Sequence, residues 1–430
     1  MISLFVLFQG CALDFQGSRF DKTSIQSSLS LPDPGDLDLT FGTNGKLRLE
    51  IPSATAYGLY YSTQQSDGRI IAVGYATFSG QQDSLTVRFN IDGTPDTSFN
   101  GTGYRVVPLQ PGTDDFFAGV TVHTDGTIVA SGSVANANGD ISLVRFLSDG
   151  SLDTSFDSDG IVVTAGAGNF YDAGYAVNVQ SDGKILVGGY IYSGGYKSAL
   201  LRYNTGGSLD ATFGTGGIVL FNPGSGASYI DTFKVQGDGK IVVLGLHRPG
   251  SYYSDLMVGR FNADGTADTS FNTTGTRLIV FGTAQNISAT GLVVLSDGKI
   301  VVAGSALDGA DTDGFIRKFN QNGSNDASFA TAGVFSFDEG GTENLSGLAL
   351  ASDGKFFATG EVGGASVVIR VDAAGALDSS FGTAGKVTID EDPGSSEILG
   401  LIHIQSDGRV VALGTTSGTT QWIYGFRLWP

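Results

Sequence analysis

Apolar and polar residues alternate in short runs along almost the whole chain, as in "KILVGGYI" (184–191) and "SALLRYN" (198–204). A two-residue period over such runs marks a strand with one buried face. No convincing 3.6-residue period appears over a dozen residues, so no helix is predicted. The runs are interrupted by Asp-Gly pairs at Asp67, Asp125, Asp182, Asp238, Asp297, Asp353 and Asp407, 54 to 59 residues apart. Asp-Gly between alternating runs predicts a tight hairpin, because Gly takes the positive φ such a turn needs.

Two more motifs recur seven times in fixed order. One is Asp-x-x-Phe, beginning at Asp38, Asp96, Asp153, Asp210, Asp268, Asp326 and Asp378. The other is a basic residue ending the third strand of each copy: Arg88, Arg145, Arg202, Arg260, Lys318, Arg370 and Arg427. Six of these basic residues precede the next motif aspartate by eight positions, which suggests an ion pair across a turn or an aspartate that caps it. In the third copy, strands are expected over 176–180, 184–191, 198–204 and 218–222. Four antiparallel strands in about 57 residues make one propeller blade. The predicted fold is therefore all-β, a seven-bladed propeller of four-stranded antiparallel blades.

The ends of the chain sharpen this. Asp38 leads into "KLRLEI" (46–51), a fourth strand with no first three before it, and the terminal "QWIYGFRLWP" is a third strand with no fourth. The N-terminal strand is expected to pair with the C-terminal three and close the ring, bringing Arg427 to Asp38.

Composition narrows the function classes. With 65 Gly and 41% hydrophobic residues but no Gly-X-Y period, the chain is neither collagen-like nor disordered. Its 24 basic and 43 acidic residues, net −19, argue against a nucleic-acid partner, which needs a basic face. The single cysteine, Cys11, allows no intrachain disulfide. It follows "MISLFVLFQG", and "LFQGCA" resembles a bacterial lipobox, so Cys11 is a candidate lipidation site. Residues 1–11 are read as this signal segment, 12–36 as a flexible tether and 37–430 as the propeller. The expected location is outside the cytoplasm: an outer-membrane or cell-surface lipoprotein, otherwise a secreted monomer, touching membrane only through a lipid on Cys11.

The repeats "LDSSFGTAGKV" (377–387), "LDATFGTGGIV" (209–219) and "QSDGKILVGG" (181–189 and the preceding Gln180) resemble the delta-60 repeat, a bacterial propeller repeat. More loosely, they are similar to the NHL-type propeller. "HTDGTIVASG" lacks the basic residue and "SNDASFATAGVF" lacks the first Leu. The resemblance implies a secreted or surface-associated bacterial propeller with the Asp-Gly hairpin between the two innermost strands. It implies no reaction.

Repeated residues serve every blade, so functional information is sought in residues that do not repeat. Counting ten back from each Asp-Gly aspartate gives Tyr57, Asp115, Asp172, Glu343 and Glu397 among seven positions expected near the channel mouth. Asp231, Tyr171 and Tyr229 lie close in sequence, and His247 and His403 fall on the same face or an innermost strand. No cofactor is required, although converging carboxylates suit Ca²⁺, and acids mixed with tyrosines suit a sugar or a cationic peptide. The chain has no G-x-S-x-G, H-E-x-x-H or phosphate loop, and no catalytic residue is nominated. The favoured reading is a non-catalytic binding or scaffold module at the bacterial envelope, with a protein or carbohydrate partner. The alternative is a Ca²⁺-assisted hydrolase or lyase acting on a polysaccharide or lactone.

Overall fold

The computed structural model describes residues 31–135, 139–166, 170–250, 253–281, 286–308, 311–391, 396–417 and 421–430. Cys11 and residues 12–30 lie outside the described residues. From Pro34 to Pro430 the chain forms one compact unit. Its 28 strands make seven four-stranded antiparallel sheets, with no helix among the described residues. We number the blades 1 to 7 by their innermost strands: Ala56–Gln64, Asp115–Val122, Ala173–Val179, Ala227–Val235, Ile287–Val294, Glu343–Leu350 and Ser396–Ile404.

Blade 7 is built from both chain ends. Strand Lys46–Leu49 pairs with Ile423–Leu428, Lys46 opposite Phe426 and Leu49 opposite Ile423. Leu37 extends the pairing with a bridge to Leu428. Gly35 N–H donates to Trp429 O at 2.9 Å, and Trp429 N–H donates to Asp36 O at the same distance. Arg427 Nη2 stands 2.6 Å from Asp38 Oδ2, so the two residues orphaned in sequence meet at the closure.

A blade alone has two apolar faces and can bury them only against neighbours. The core accordingly divides into seven apolar clusters, each drawn from two adjacent blades. The cluster between blades 7 and 1, with Leu401, Val411 and Leu413 against Ile70, Leu85 and Val87, is of the same kind as the other six.

The basic residue and the Asp-x-x-Phe motif form one unit in each copy. Arg88 Nε reaches Asp96 Oδ2 at 2.6 Å, and Arg202 Nε reaches Asp210 Oδ2 at 2.7 Å. The motif phenylalanine lies beneath the cation, with centroid distances from 4.6 Å (Arg145 on Phe156) to 5.6 Å (Lys318 on Phe329). Sequence reasoning missed a further link: the guanidinium Nη1 also donates to a carbonyl of the next blade. Arg88 bonds Ser148 O at 2.5 Å, Arg202 bonds Ala263 O at 2.7 Å, and Arg427 bonds Ile91 O at 2.7 Å. The arginines therefore stitch blade to blade. The basic residue after Asp-Gly joins the same aspartates, as in Lys184 Nζ to Asp210 Oδ2 at 2.9 Å.

Every innermost strand slips register once. The unpaired residues are Tyr60, Ala118, Tyr175, Asp231, Thr290, Ser346 and Gly400. A glycine lies across from each bulge: Gly74, Gly132, Gly189, Gly245, Gly304, Gly360 and Gly414. A Cβ there would fall 1.7–2.2 Å from the carbonyl oxygen of the innermost strand. These glycines permit the bulge, and the bulge re-aims one residue per blade.

Candidate ligand cleft at the channel mouth

The bulged residues form the wall of the central channel, and in blades 1 to 4 aromatic rings stand among and beside them. Tyr60, Tyr61, Phe116, Ala118, Tyr175, Asp231, Thr232 and Thr290 line a cavity of about 360 Å³. A second, of about 320 Å³, shares Tyr175 and Asp231 and adds Tyr190, Tyr196, Tyr229, Leu246 and Arg248. Rings contact one another along this arc. Tyr60 meets Phe116 edge-on at 5.7 Å, Tyr175 meets Tyr190 at 5.6 Å, and Tyr190 meets Tyr229 at 5.0 Å. Arg248 lies over Tyr229, 5.3 Å from its centroid. Tyr60 is half exposed, so its ring is open to a ligand.

Electrostatics keep the arc neutral. Burial and neighbouring phenols push Tyr60 up to about 12, and burial raises Tyr175, Tyr190 and Tyr229. The phenols therefore remain hydrogen-bonding hydroxyls on uncharged rings at neutral pH. Asp231 is the charged exception: burial in the channel wall pushes it up to about 7, with Arg248 pulling the other way. Among the described residues, Asp231 accepts no hydrogen bond.

Toward the Asp-Gly face the channel wall lines a polar cavity of about 230 Å³. Here Lys234 Nζ donates to the Tyr61 hydroxyl at 3.2 Å. These residues belong to blades 4 and 1, which are not neighbours, so the bond crosses the channel. Lys234 lowers the Tyr61 phenol, although burial opposes it. His403 Nε2 lies 2.7 Å from Ser62 Oγ, and burial, then Lys234, holds it down to about 4, so its ring stays neutral.

Of the residues nominated from sequence, the cleft gathers Asp231 and Tyr229, with His403 deeper in the channel. The ten-back carboxylates do not line the mouth. Asp115, Asp172, Glu343 and Glu397 are at most 2% exposed. Asp172 accepts from Tyr192 N–H at 2.7 Å and Gly166 N–H at 2.8 Å, holding loops together between blades. Tyr57 is buried and donates to Gln421 O. His247 is buried too, between Ser225 O at 2.9 Å and Asp255 Oδ2 at 3.3 Å, and lies in blade 4 rather than beside His403. Tyr171 is exposed on a loop and stands against Gly139. Sequence reasoning, which pointed to Phe116 and Tyr196 on this face, missed Tyr60, Tyr61, Tyr175, Tyr190 and Lys234 as cleft and channel residues. The bulge explains the miss: the axis-facing residue stands seven positions before each Asp-Gly aspartate, not ten.

On the opposite face, a groove of about 840 Å³ between blades 4 and 5 is lined by Lys240, Arg260, Ser270 and Gln321. Lys240 and Arg260 both bind Asp268, as their counterparts bind the equivalent aspartate in other blades, so that groove belongs to the architecture.

Five segments match the family model described as a domain of unknown function (DUF5122) beta-propeller: residues 65–99, 123–156, 180–213, 236–271 and 295–329. Each runs from the residue two before the Asp-Gly aspartate to the motif phenylalanine, and the chain is a repeat β-propeller protein. No curated protein matches the sequence. Among solved structures, virginiamycin B lyase from Staphylococcus aureus superposes with a TM-score of 0.50 at 12% identity, covering 90% of this chain and 98% of that one. Polysaccharide lyase Uly1 gives 0.51 at 12% identity, with 95% of each chain covered. A protein of unknown function from Dyadobacter fermentans gives 0.50 at 12%, covering 90% and 98%. At such identities the likeness is one of fold, and fold alone licenses no activity.

Proposed function

We propose that this propeller is a non-catalytic binding module that takes a neutral or weakly charged oligosaccharide in the aromatic cleft at the channel mouth. One observation carries the reading: seven rings from blades 1 to 4 line adjoining cavities in which, among the described residues, the only charged side chains are Asp231 and Arg248. Sugar rings stack on such faces through their C–H groups, while tyrosine hydroxyls, a carboxylate and a guanidinium match sugar hydroxyls. A strongly cationic ligand is disfavoured, because the phenols are neutral and Arg248 would repel it.

The test is calorimetric titration of the full chain with a panel of neutral and uronate-containing oligosaccharides. At least one should bind, and Tyr60→Ala and Tyr175→Ala should each weaken it about tenfold, the value of one aromatic contact at about 1.4 kcal/mol. Absence of binding across the panel, or unchanged affinity in both variants with normal folding, would remove the reading. Placement at the cell envelope through a lipid anchor rests on Cys11 behind its apolar run; a Cys11→Ala chain that stays in the membrane fraction would remove that anchor.

A second reading, lyase or hydrolase action on a polysaccharide or lactone, is favoured by one feature. Tyr61 lines both the 360 Å³ aromatic cavity and the 230 Å³ polar cavity and has its proton loosened by Lys234, as a general base requires. Tyr61→Phe separates the two: it abolishes turnover in an enzyme and leaves affinity nearly intact in a binding module.

A further inference from the structure

Of the buried carboxylates ten residues before the Asp-Gly turns, one keeps a buried oxygen that meets no donor among the described residues. Asp115 Oδ2 accepts from Gln110 N–H at 2.9 Å, and Asp172 accepts two backbone N–H groups. Glu397 accepts from Glu391 N–H and from Ser366 Oγ at 3.1 Å, the serine coming from the preceding blade. Glu343 is different. It is 2% exposed, and the Glu339 amide donates to its carboxylate, yet Oε2 is buried and meets no donor among the described residues.

What the preceding blade presents to Glu343 is two more acids. Asp311 and Asp313 open the third strand of blade 5, and one carboxylate oxygen from each of the three residues lies within 4.8 Å of the others. A parallel bridge between Thr312 and Thr342 fixes the hairpin against the strand that carries Glu343. Where blade 6 offers a serine hydroxyl to Glu397, blade 5 offers negative charge to a glutamate whose Oε2 already lacks a donor.

We propose that Asp311, Asp313 and Glu343 hold one hard divalent cation, Ca²⁺ in the first instance, which ties the blade 5 hairpin to the innermost strand of blade 6. The donor set is all oxygen, which selects hard cations over thiolate- or imidazole-seeking metals. Oxygens on opposite sides of a Ca²⁺ ion bound at about 2.4 Å are separated by about 4.8 Å, so the three oxygens fit one coordination sphere. Ca²⁺ also tolerates the irregular geometry of a hairpin facing a strand, and water would fill the remaining positions. The site stands on observations separate from the aromatic cleft, and either assignment survives the failure of the other.

The experiment uses the full chain freed of metal by chelation, titrated calorimetrically with CaCl₂ and, in a second arm, MgCl₂, with melting followed in parallel. One ion per chain should bind and raise the melting temperature, and Glu343→Gln and Asp313→Asn should each lose that binding. In chelator, Glu343→Gln should melt at or above wild type, because it removes a buried charge that two neighbours repel. A capping role alone would move this readout the other way. Asp311→Asn, at a partly exposed position, keeps the test open if Glu343→Gln fails to fold. No heat with either ion at millimolar concentration, binding retained in the variants, or a lower melting point of Glu343→Gln in chelator would overturn the proposal.

Discussion

Replacing Asp38 by Asn tests the closure of the ring with one isosteric change. Asp38 is 1% exposed. Its Oδ2 takes Arg427 Nε at 2.7 Å, Arg427 Nη2 at 2.6 Å and Arg409 Nε at 3.2 Å, and its Oδ1 takes Thr40 N–H at 3.1 Å. Burial alone would raise this carboxyl, but Thr40 and the charge of Arg427 outweigh it and hold it below the usual carboxylate range. The amide keeps the Thr40 bonds and leaves the buried Arg427 guanidinium without its anion, while Arg409 keeps Asp407 at 3.2 Å. Breaking a buried pair from one side costs about 3–5 kcal/mol, which at about 1.4 kcal/mol per decade is a 10²- to 10³-fold or greater rise in local opening.

Urea unfolding combined with amide exchange reads both the size and the place of the effect. In Asp38→Asn, protection should fall in Lys46–Leu49 and Ile423–Leu428, strands joined only by pairing. Asp210→Asn removes an equivalent pair with Arg202 and Lys184 in mid-chain, where the blade stays covalently continuous. It should cost a similar amount without exposing the terminal strands. The pH dependence has a definite sign. Because the folded-state carboxyl is lowered, its stabilisation is present above the unfolded value near 3.9 and is lost as pH falls below it, so the deficit of the variant should shrink under acid. A loss below about 0.5 kcal/mol, or unchanged exchange in Lys46–Leu49, would refute the claim that this pair holds the ring shut.

Two other outcomes follow from the channel. Gly189→Ala places a Cβ 1.9 Å from Ala173 O and should cost about 3 kcal/mol by denaturant melts, whereas Gly237→Ala, with nothing within 4 Å, should be nearly neutral. Equal costs would show that the bulge does not depend on that glycine. Asp231 is raised to about 7 when folded, so folding is penalised increasingly as pH rises from about 4 to 7. Asp231→Asn should therefore melt above wild type at pH 8 and match it at pH 4; parallel pH profiles would contradict the raised carboxyl.

The blades, their number and the closure were legible because their causes are local and repeated. Each Asp-Gly turn, and each basic residue eight positions before an aspartate, is decided within a few residues of chain. Repetition made even the long-range contact of Arg427 with Asp38 readable, since each lacked a partner that every other copy had. The cleft was less legible, for the opposite reason. Tyr60, Phe116, Tyr175 and Tyr229 come from four blades and share no motif, and a one-residue bulge decides which residue faces the axis. That bulge did leave a trace, the glycine seven positions after each Asp-Gly aspartate. Pattern alone marks such a glycine only as a site of close approach. By itself the sequence determined the strand period, the turn chemistry and the sevenfold order. Which rings meet across the channel, and which buried carboxylate oxygen is left without a donor, was decided only when seven blades packed around one axis, because those neighbours lie in different repeats and distance along the chain carries no information about them.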